Sequence, residues 1–480
     1  MSPLGRRLVR GSAVTFGSSL LTRALAALQS IVIARALDPH HVGVFAIVTY
    51  VLGLAAALAD FGLPTATARL VADAHGERRR ELRGVLTTLG LATLATALVA
   101  GIALFAGAGW LAGIYGEPSL TLLFRLAALL VVLFLVGGFV GGALQGLQRI
   151  ELLAAVSVFK AVATVVGIVA LVPVIGLAGV LVASLAAETL ALLAVARPIA
   201  GAARDGAATP AWTLARRSMH VATPVFLNGL LLWGSALVVR SWLAGTRGYA
   251  DVGYYQLADA LSRVVLLVAT AITVPLVPMV AEIAASAPER VSTLGRAALR
   301  GALLGTMPPA IFLSVGASSI VVLLYGSAYA DAGVPTALLA PAALLQGLAV
   351  VVWSLFIGAG RAWAGMIVQA LGHVTLVALG AALIPRVGPV GLGVAQLAAA
   401  ALTLAAGLWH LHRTLGIRLD ASWRLIAVAV AAWIAAIVIT LGGAAGLGAA
   451  AALALAVVAL AWWTLGREES AWVRRTLRAS

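Results

Sequence analysis

Charged side chains interrupt the apolar stretches of this sequence at only a few places. Asp259 and Arg263 stand four residues apart in "LADALSRVVLLVATAITV", Arg23 lies inside "LLTRALAALQSIVIA", and Asp60 closes "VLGLAAALAD". Lys160 and Glu188 sit within "LLAAVSVFKAVATVV" and "LVASLAAETLALLA". An arginine stays charged when partly desolvated, and its planar fork matches the oxygens of a phosphate or carboxylate. A carboxylate nearby makes the empty site tolerable. The chemistry open to such residues is anion recognition with resident counterions, and the competing reading is static bridging. Asp259 and Arg263 share one helix face in the favourable acid-before-base order, and Lys160 and Glu188 fall at similar depth, as an ion pair would. No catalytic group or metal-ligand cluster stands out.

These residues need elements to hold them, and composition says which kind. The 480-residue chain is 62% apolar and 10% charged, with a mean hydropathy of +1.08. Soluble domains are about 45–50% apolar and about 25% charged, so this chain belongs in a bilayer. Fourteen apolar stretches are long enough to cross a hydrocarbon core of about 30 Å as helices. They run over 11–35, 43–71, 84–107, 121–147, 152–172, 177–197, 219–244, 253–283, 294–317, 334–358, 362–384, 388–412, 423–443 and 445–465. None has the ten-residue alternation of a barrel strand, so the expected fold is an all-α integral membrane protein. Within such helices a charge costs at least about 2.5 kcal/mol, which directs it to a wet cavity or a partner.

Arginine placement orients the helices. Twenty-three basic residues fall on the termini and even-numbered connections, and only Arg247 and Arg386 on the odd-numbered ones. By the positive-inside rule both termini are expected in the cytoplasm. The same placement explains the net charge of +15, because the basic residues flank membrane boundaries and no aromatic-lined soluble module accompanies them; nucleic acid is not an expected partner. The chain has no cysteine, which excludes disulfides and thiolate metal sites, and no cofactor is expected.

The chain also repeats itself. "PVIGLAGVLVASLAA" from Pro173 and "PRVGPVGLGVAQLAA" from Pro385 agree at eight of fifteen positions, in a shared Pro-x-x-Gly-x-x-Gly frame offset by 212 residues. Val42-Gly43 returns as Val252-Gly253 and Tyr115-Gly116 as Tyr325-Gly326, both offset by 210. Anchors in one order at one spacing indicate duplication. Six helices per copy makes the copies parallel repeats, with a substrate path expected between the lobes. The expected organisation is an N-lobe over 1–210, a C-lobe over 211–418, and two further helices with a cytoplasmic tail over 419–480. The Pro-Gly-Gly frames and the Gly138, Gly142 and Gly146 seam are expected to serve close packing, and Pro64, Pro224, Pro275 and Pro278 to kink their helices.

"IVIARALDPHHVGVFAIVTYVLGLAAALADFGLPTATARL" from Ile31 and "LLYGSAYADAG" from Leu323 resemble the polysaccharide-exporting, Wzx-like oligosaccharide flippases, over about the first 415 residues. Where that family usually carries acidic residues after the proline of the first loop, His40 and His41 stand here. The resemblance implies a two-lobed alternating carrier in the bacterial cytoplasmic membrane, not an enzyme. It would move an undecaprenyl-pyrophosphate-linked oligosaccharide to the outer leaflet, with polysaccharide polymerase machinery as a partner beside the lipid bilayer.

On that reading Arg23, Arg263, Arg240, Arg69 and Arg125 are the candidate substrate-binding residues, and Asp60, Asp259, Lys160 and Glu188 the cavity counterions or coupling groups. Arg69, Arg125 and Arg240 have a competing use, snorkelling to headgroups from near helix ends, and Arg23 and Asp60 could form a bridge. Asn228, Gln256, Gln346 and Gln369 are candidates for sugar hydroxyls or for helix-to-helix hydrogen bonds. Two other functions stay open. A lipid II flippase would share the fourteen helices and cationic cavity. A cation-coupled multidrug extruder would share the core, but deep arginines have the wrong sign for organic cations.

Overall fold

The computed structural model describes residues 3–76, 81–202 and 212–417, together with Ala452 and Ala456. The described residues are helical, and eleven of their helices are long and apolar enough to cross a membrane. The expected helices over 423–443 and 445–465 lie outside the described residues. The chain divides into two compact units, Met1–Gly253 and Tyr254–Ser480.

The first unit contains α1 (Pro3–Ala36), α2 (Pro39–Asp60), α3 (Leu63–Gly76), α4 (Leu82–Tyr115), α5 (Leu120–Gly146), α6 (Ile150–Ile175), α7 (Ala178–Ala202) and α8 (Trp212–Arg247). Helix α4 packs along α5, α6 along both α7 and α1, and α2 along α5 and α8. Leu98, Val99, Ile102, Phe105 and Trp110 on α4 are exposed, as suits helices whose solvent is lipid. The division into units falls after α8, so α8 packs with the helices that precede it.

The stretch expected as one helix over 43–71 is two. Phe61 and Gly62 both take positive φ, 45° and 72°, which ends α2. Pro64, without an amide hydrogen, then sits in the first turn of α3, where none is needed. Helix α3 lies in the glycine seam of α5. A Cβ on Gly142 would overlap the carbonyl of Pro64, and one on Gly146 would come within 2.6 Å of the Ala68 oxygen.

Helix α9 (Tyr249–Ser262) begins in the first unit and continues into the second. The second unit continues with α10 (Leu266–Ser286), α11 (Val291–Val315), α12 (Ala317–Tyr325), α13 (Gly333–Gly358) and α14 (Ala362–Leu415). Helix α13 is its axis, packed by α10, α11 and α14 around a core that includes Val280, Met307, Val351, Leu355 and Phe356. The expected helix over 253–283 is also interrupted, by a 3₁₀ turn at Arg263–Val265. Pro275 and Pro278 lie inside α10, beyond that interruption.

The duplicated phrase has a structural meaning. Helix α14 folds back on itself where Val387 and Gly388 leave helical geometry, so that Gly372 lies against Thr403 and Ala399. Gly388 takes φ 57°, ψ −133°, and Gly176, which separates α6 from α7, takes φ 57°, ψ −139°. Only glycine enters that region without strain. Three residues on, a Cβ on Gly179 would stand 2.7 Å from the Leu171 carbonyl carbon, and one on Gly391 2.8 Å from that of Leu383. Each frame thus turns a helical hairpin with its first glycine and lets the two arms meet at backbone distance with its second.

Candidate functional site

In the second unit, Arg263 is an exposed charged residue that follows directly on α9. Gln256, Asp259 and Arg263 are spaced i, i+3 and i+7, which places them on one face over a rise of about 10 Å. Helix α9 ends there. Arg263 Nη2 and Nε donate to the same oxygen of Asp259, at 2.9 and 3.3 Å. The carboxylate side chain is 19% exposed and the guanidinium side chain 60%. The arrangement shields the acid and presents the fork. Beside it, the Gln256 Oε1 and Ser262 Oγ atoms are buried without a hydrogen-bond partner among the described residues.

The other candidates separate by environment. Arg23 is exposed on α1, and among the described residues no ion pair joins it to Asp60. Asp60 instead accepts the backbone N–H of Gly62 at the α2–α3 break. Arg69 is exposed on α3, and Arg125 is exposed on α5 with its guanidinium 5.4 Å from the ring centroid of Phe105.

Arg240 does not snorkel. It is 4% exposed, with its guanidinium 3.9 Å from the centre of the Tyr50 ring, close enough for a strong cation–π contact. Trp233 packs beside Tyr50 and lies where a Cβ on Gly53 would be. Two turns further along α2, Phe61 stacks on Phe226 at 5.4 Å. This aromatic seam binds α8 to α2 and keeps α8 in the first unit.

Lys160 and Glu188 form the ion pair that their depth suggested, at 3.0 Å, with the Glu188 side chain 8% exposed. The Glu188 carboxylate rests directly on Gly137 of α5. Among the described residues no group of histidine and acidic side chains could hold a metal ion.

A further polar cluster occupies the arginine-poor end of the first unit. His40, in the first turn of α2, lies 3.4 Å from Glu117 in the α4–α5 connection, and its ring meets that of Tyr249 edge-on at 5.2 Å. Tyr249 donates to the Tyr115 carbonyl at 2.8 Å, and the Tyr115 hydroxyl meets Ser241 of α8 at 2.7 Å. Glu117 is held below the usual carboxylate range, chiefly by the Ser119 hydroxyl, with His40 contributing. The sequence marked two members of this cluster without giving them a role: His40 as a departure from the flippase pattern, and Tyr115 as a repeat anchor.

Residues 8–284 match the family model described as "Polysaccharide biosynthesis protein". The chain belongs to that family. No curated protein matches this family member's sequence. Its fold is shared with solved transporters of low sequence identity. A lipid II flippase, MurJ, in an inward closed conformation superposes with TM-score 0.73 at 13% identity, covering 94% of this chain and 99% of that one. An inward-facing multidrug resistance MATE transporter of the MOP superfamily gives 0.68 at 17%, covering 84% and 98%. A MOP superfamily transporter from Pyrococcus furiosus, described as having a binding pocket of reversed polarity, gives 0.64 at 16%, covering 85% and 95%. The family member is a multi-pass membrane protein with a flippase-like transporter fold.

Proposed function

We propose that this protein is an alternating-access flippase that carries an undecaprenyl-pyrophosphate-linked oligosaccharide across the bacterial cytoplasmic membrane for polysaccharide synthesis. The observation that carries the reading is Arg263, a guanidinium presented at 60% exposure from a membrane helix and steadied by Asp259. A cation in that setting has the sign and geometry for a lipid pyrophosphate and the wrong sign for an organic cation. Arg23, exposed on α1, is the second pyrophosphate ligand, with Arg69 and Arg125 as further contacts. Arg240 joins them only after it leaves Tyr50. Asp60 and Asp259 act as resident counterions, and Lys160 and Glu188 as a coupled pair. The arginine distribution along the sequence supports an orientation with both termini in the cytoplasm.

The lipid II flippase reading is favoured by one observation, the superposition on MurJ over 94% of the chain. The two substrates share a polyprenyl pyrophosphate and differ in what it bears. The test is flipping of a fluorescent lipid-linked oligosaccharide and of lipid II by the purified protein in proteoliposomes. Translocation of the oligosaccharide, lost in Arg263→Ala, supports the proposal. Translocation of lipid II alone replaces it with the second reading, and movement of neither overturns both.

A further inference from the structure

Helices α1 and α6 pack side by side, and their membrane-spanning stretches begin at Gly17 and Ile150 at the arginine-rich end of the first unit. Along this end the two helices leave a groove of about 690 Å³, walled by Gly17 and Leu21 on α1 and by residues from Glu151 to Val162 on α6. Small residues keep it open. A Cβ on Gly17 would meet nothing within 4 Å, and Ala154 and Ala155 put only methyl groups into the facing wall. Deeper in, Phe159 and Val162 line the groove and stay 45% and 42% exposed. At a soluble surface such a groove fills with water, but inside a bilayer an apolar one fills with hydrocarbon.

Depth and charge together say which hydrocarbon. From Glu151 to Val162 the helix rises about 16 Å, close to half of a hydrocarbon core of about 30 Å. The groove is therefore one leaflet deep, the reach of an acyl chain whose head group sits at the membrane boundary. Among the described residues that line it, Glu151 alone is charged, and it stands in the first turn of α6, at that boundary. A carboxylate there repels a lipid whose head is only anionic, such as a phosphatidylglycerol or a polyprenyl pyrophosphate. It accepts from an ammonium, which brings the opposite charge and three N–H donors. A carboxylate accepts at both oxygens, so a partner within the fold leaves room for this one. Arg149, exposed just before the helix begins, supplies the complementary charge for a phosphate. Acid and base at one helix end match the two charges of a zwitterionic head.

We propose that the α1–α6 groove is a binding site for phosphatidylethanolamine from the leaflet at the arginine-rich end, with the acyl chain between Leu21 and Phe159, the ammonium on Glu151 and the phosphate toward Arg149. The site lies within the first unit, whereas Arg263 belongs to the second, and it does not rest on what the carrier moves. Binding is reversible, with no covalent bond made.

The absence of cysteine allows a direct test in the full chain. Val166, one turn beyond Val162 on the same helix, is 62% exposed, so a benzophenone attached to Val166→Cys reaches the mouth of the groove without filling it. The labelled protein is placed in vesicles of equal phosphatidylethanolamine and phosphatidylglycerol with undecaprenyl phosphate as a minor component, and the cross-linked lipid is identified by mass spectrometry. Phosphatidylethanolamine should exceed its share of the bilayer roughly two- to fivefold, the range open to a partly exposed charge contact. The same label on Ile102→Cys, at the exposed face of α4, should return the bilayer composition. Glu151→Gln should bring Val166→Cys to that composition too, and Glu151→Lys should turn the preference toward phosphatidylglycerol. Bilayer composition at Val166→Cys in the parent, or an excess that survives in Glu151→Gln, overturns the proposal. Enrichment of undecaprenyl phosphate also overturns it and assigns the groove to a polyprenyl tail.

Discussion

Gly43 and Gly253 sit in each other's side-chain space. The Cβ that either lacks would lie 3.1–3.2 Å from the other's backbone nitrogen and inside the carbonyl one turn earlier on the facing helix. Two positions related by the sequence repeat thus contact one another through the same atoms in both directions.

Gly43→Ala should part this contact, because backbone cannot yield as a flexible side chain does. Overpacking of this kind costs about 1–3 kcal/mol. The expected result is a lower thermal unfolding temperature of the detergent-purified protein, with Gly253→Ala giving the same effect. Unchanged unfolding in both would show that the two helices can accommodate a methyl group at this contact.

The hairpin glycines should fail alike. Gly176→Ala and Gly388→Ala each force a Cβ into a glycine-only backbone region, at about 1–3 kcal/mol. Thermal unfolding of the detergent-purified protein should fall by similar amounts for the two, while flipping per folded molecule stays near the parent value. Loss of transport by well-folded Gly176→Ala would mean that this turn belongs to the substrate path.

Arg263→Ala should reduce flipping roughly ten- to hundredfold, the loss expected for a charge-assisted contact of about 1.5–3 kcal/mol. Membrane insertion should be unaffected. Arg263→Lys should restore only part, since it keeps the charge and loses the fork. Asp259→Asn should tighten pyrophosphate binding or slow release, measured by competition with inorganic pyrophosphate. Arg23→Ala is expected to match Arg263→Ala; normal transport by the double alanine variant would remove the anion-carrier reading.

At the Lys160–Glu188 pair, Lys160→Met alone should destabilise because it strands the buried Glu188 carboxylate, by less than the ~3–5 kcal/mol of a fully buried pair, since the Lys160 side chain is 39% exposed. The double variant Lys160→Met, Glu188→Leu should recover most of that loss. Thermal unfolding distinguishes this structural role from coupling: a stable double variant that no longer transports assigns the pair to the cycle.

The pH response of the rim follows from Glu117. Its carboxyl is depressed in the folded protein, so its contribution is complete above the ordinary carboxylate value of about 4.3 and is lost as pH falls through the lower folded value. The contacts of Glu117 with Ser119 and His40 are therefore expected to weaken only as pH falls below that ordinary value. Thermal unfolding of the purified protein should show that loss at acid pH, and Glu117→Gln should erase it.

Much of this architecture is local and was legible along the chain. Hydropathy is a sum over neighbouring residues, so it identified the membrane class and the positions of the described spans. The Pro-x-x-Gly-x-x-Gly frame was readable as a structural device, since a proline followed by glycines constrains the backbone wherever it occurs. The i,i+4 spacing of Asp259 and Arg263 announced their pairing in the same way. Tertiary structure decided what depends on residues far apart. Helix α8 joins the helices before it because Trp233 and Arg240 find Tyr50 and Gly53 across 180 or more positions of sequence. For the same reason Arg240, read from the sequence as either a snorkelling side chain or a substrate ligand, lies buried on an aromatic face. The meeting of Gly43 with Gly253 is of this kind as well. A glycine in sequence says only that a side chain is absent, and what fills the space is settled when helices pack.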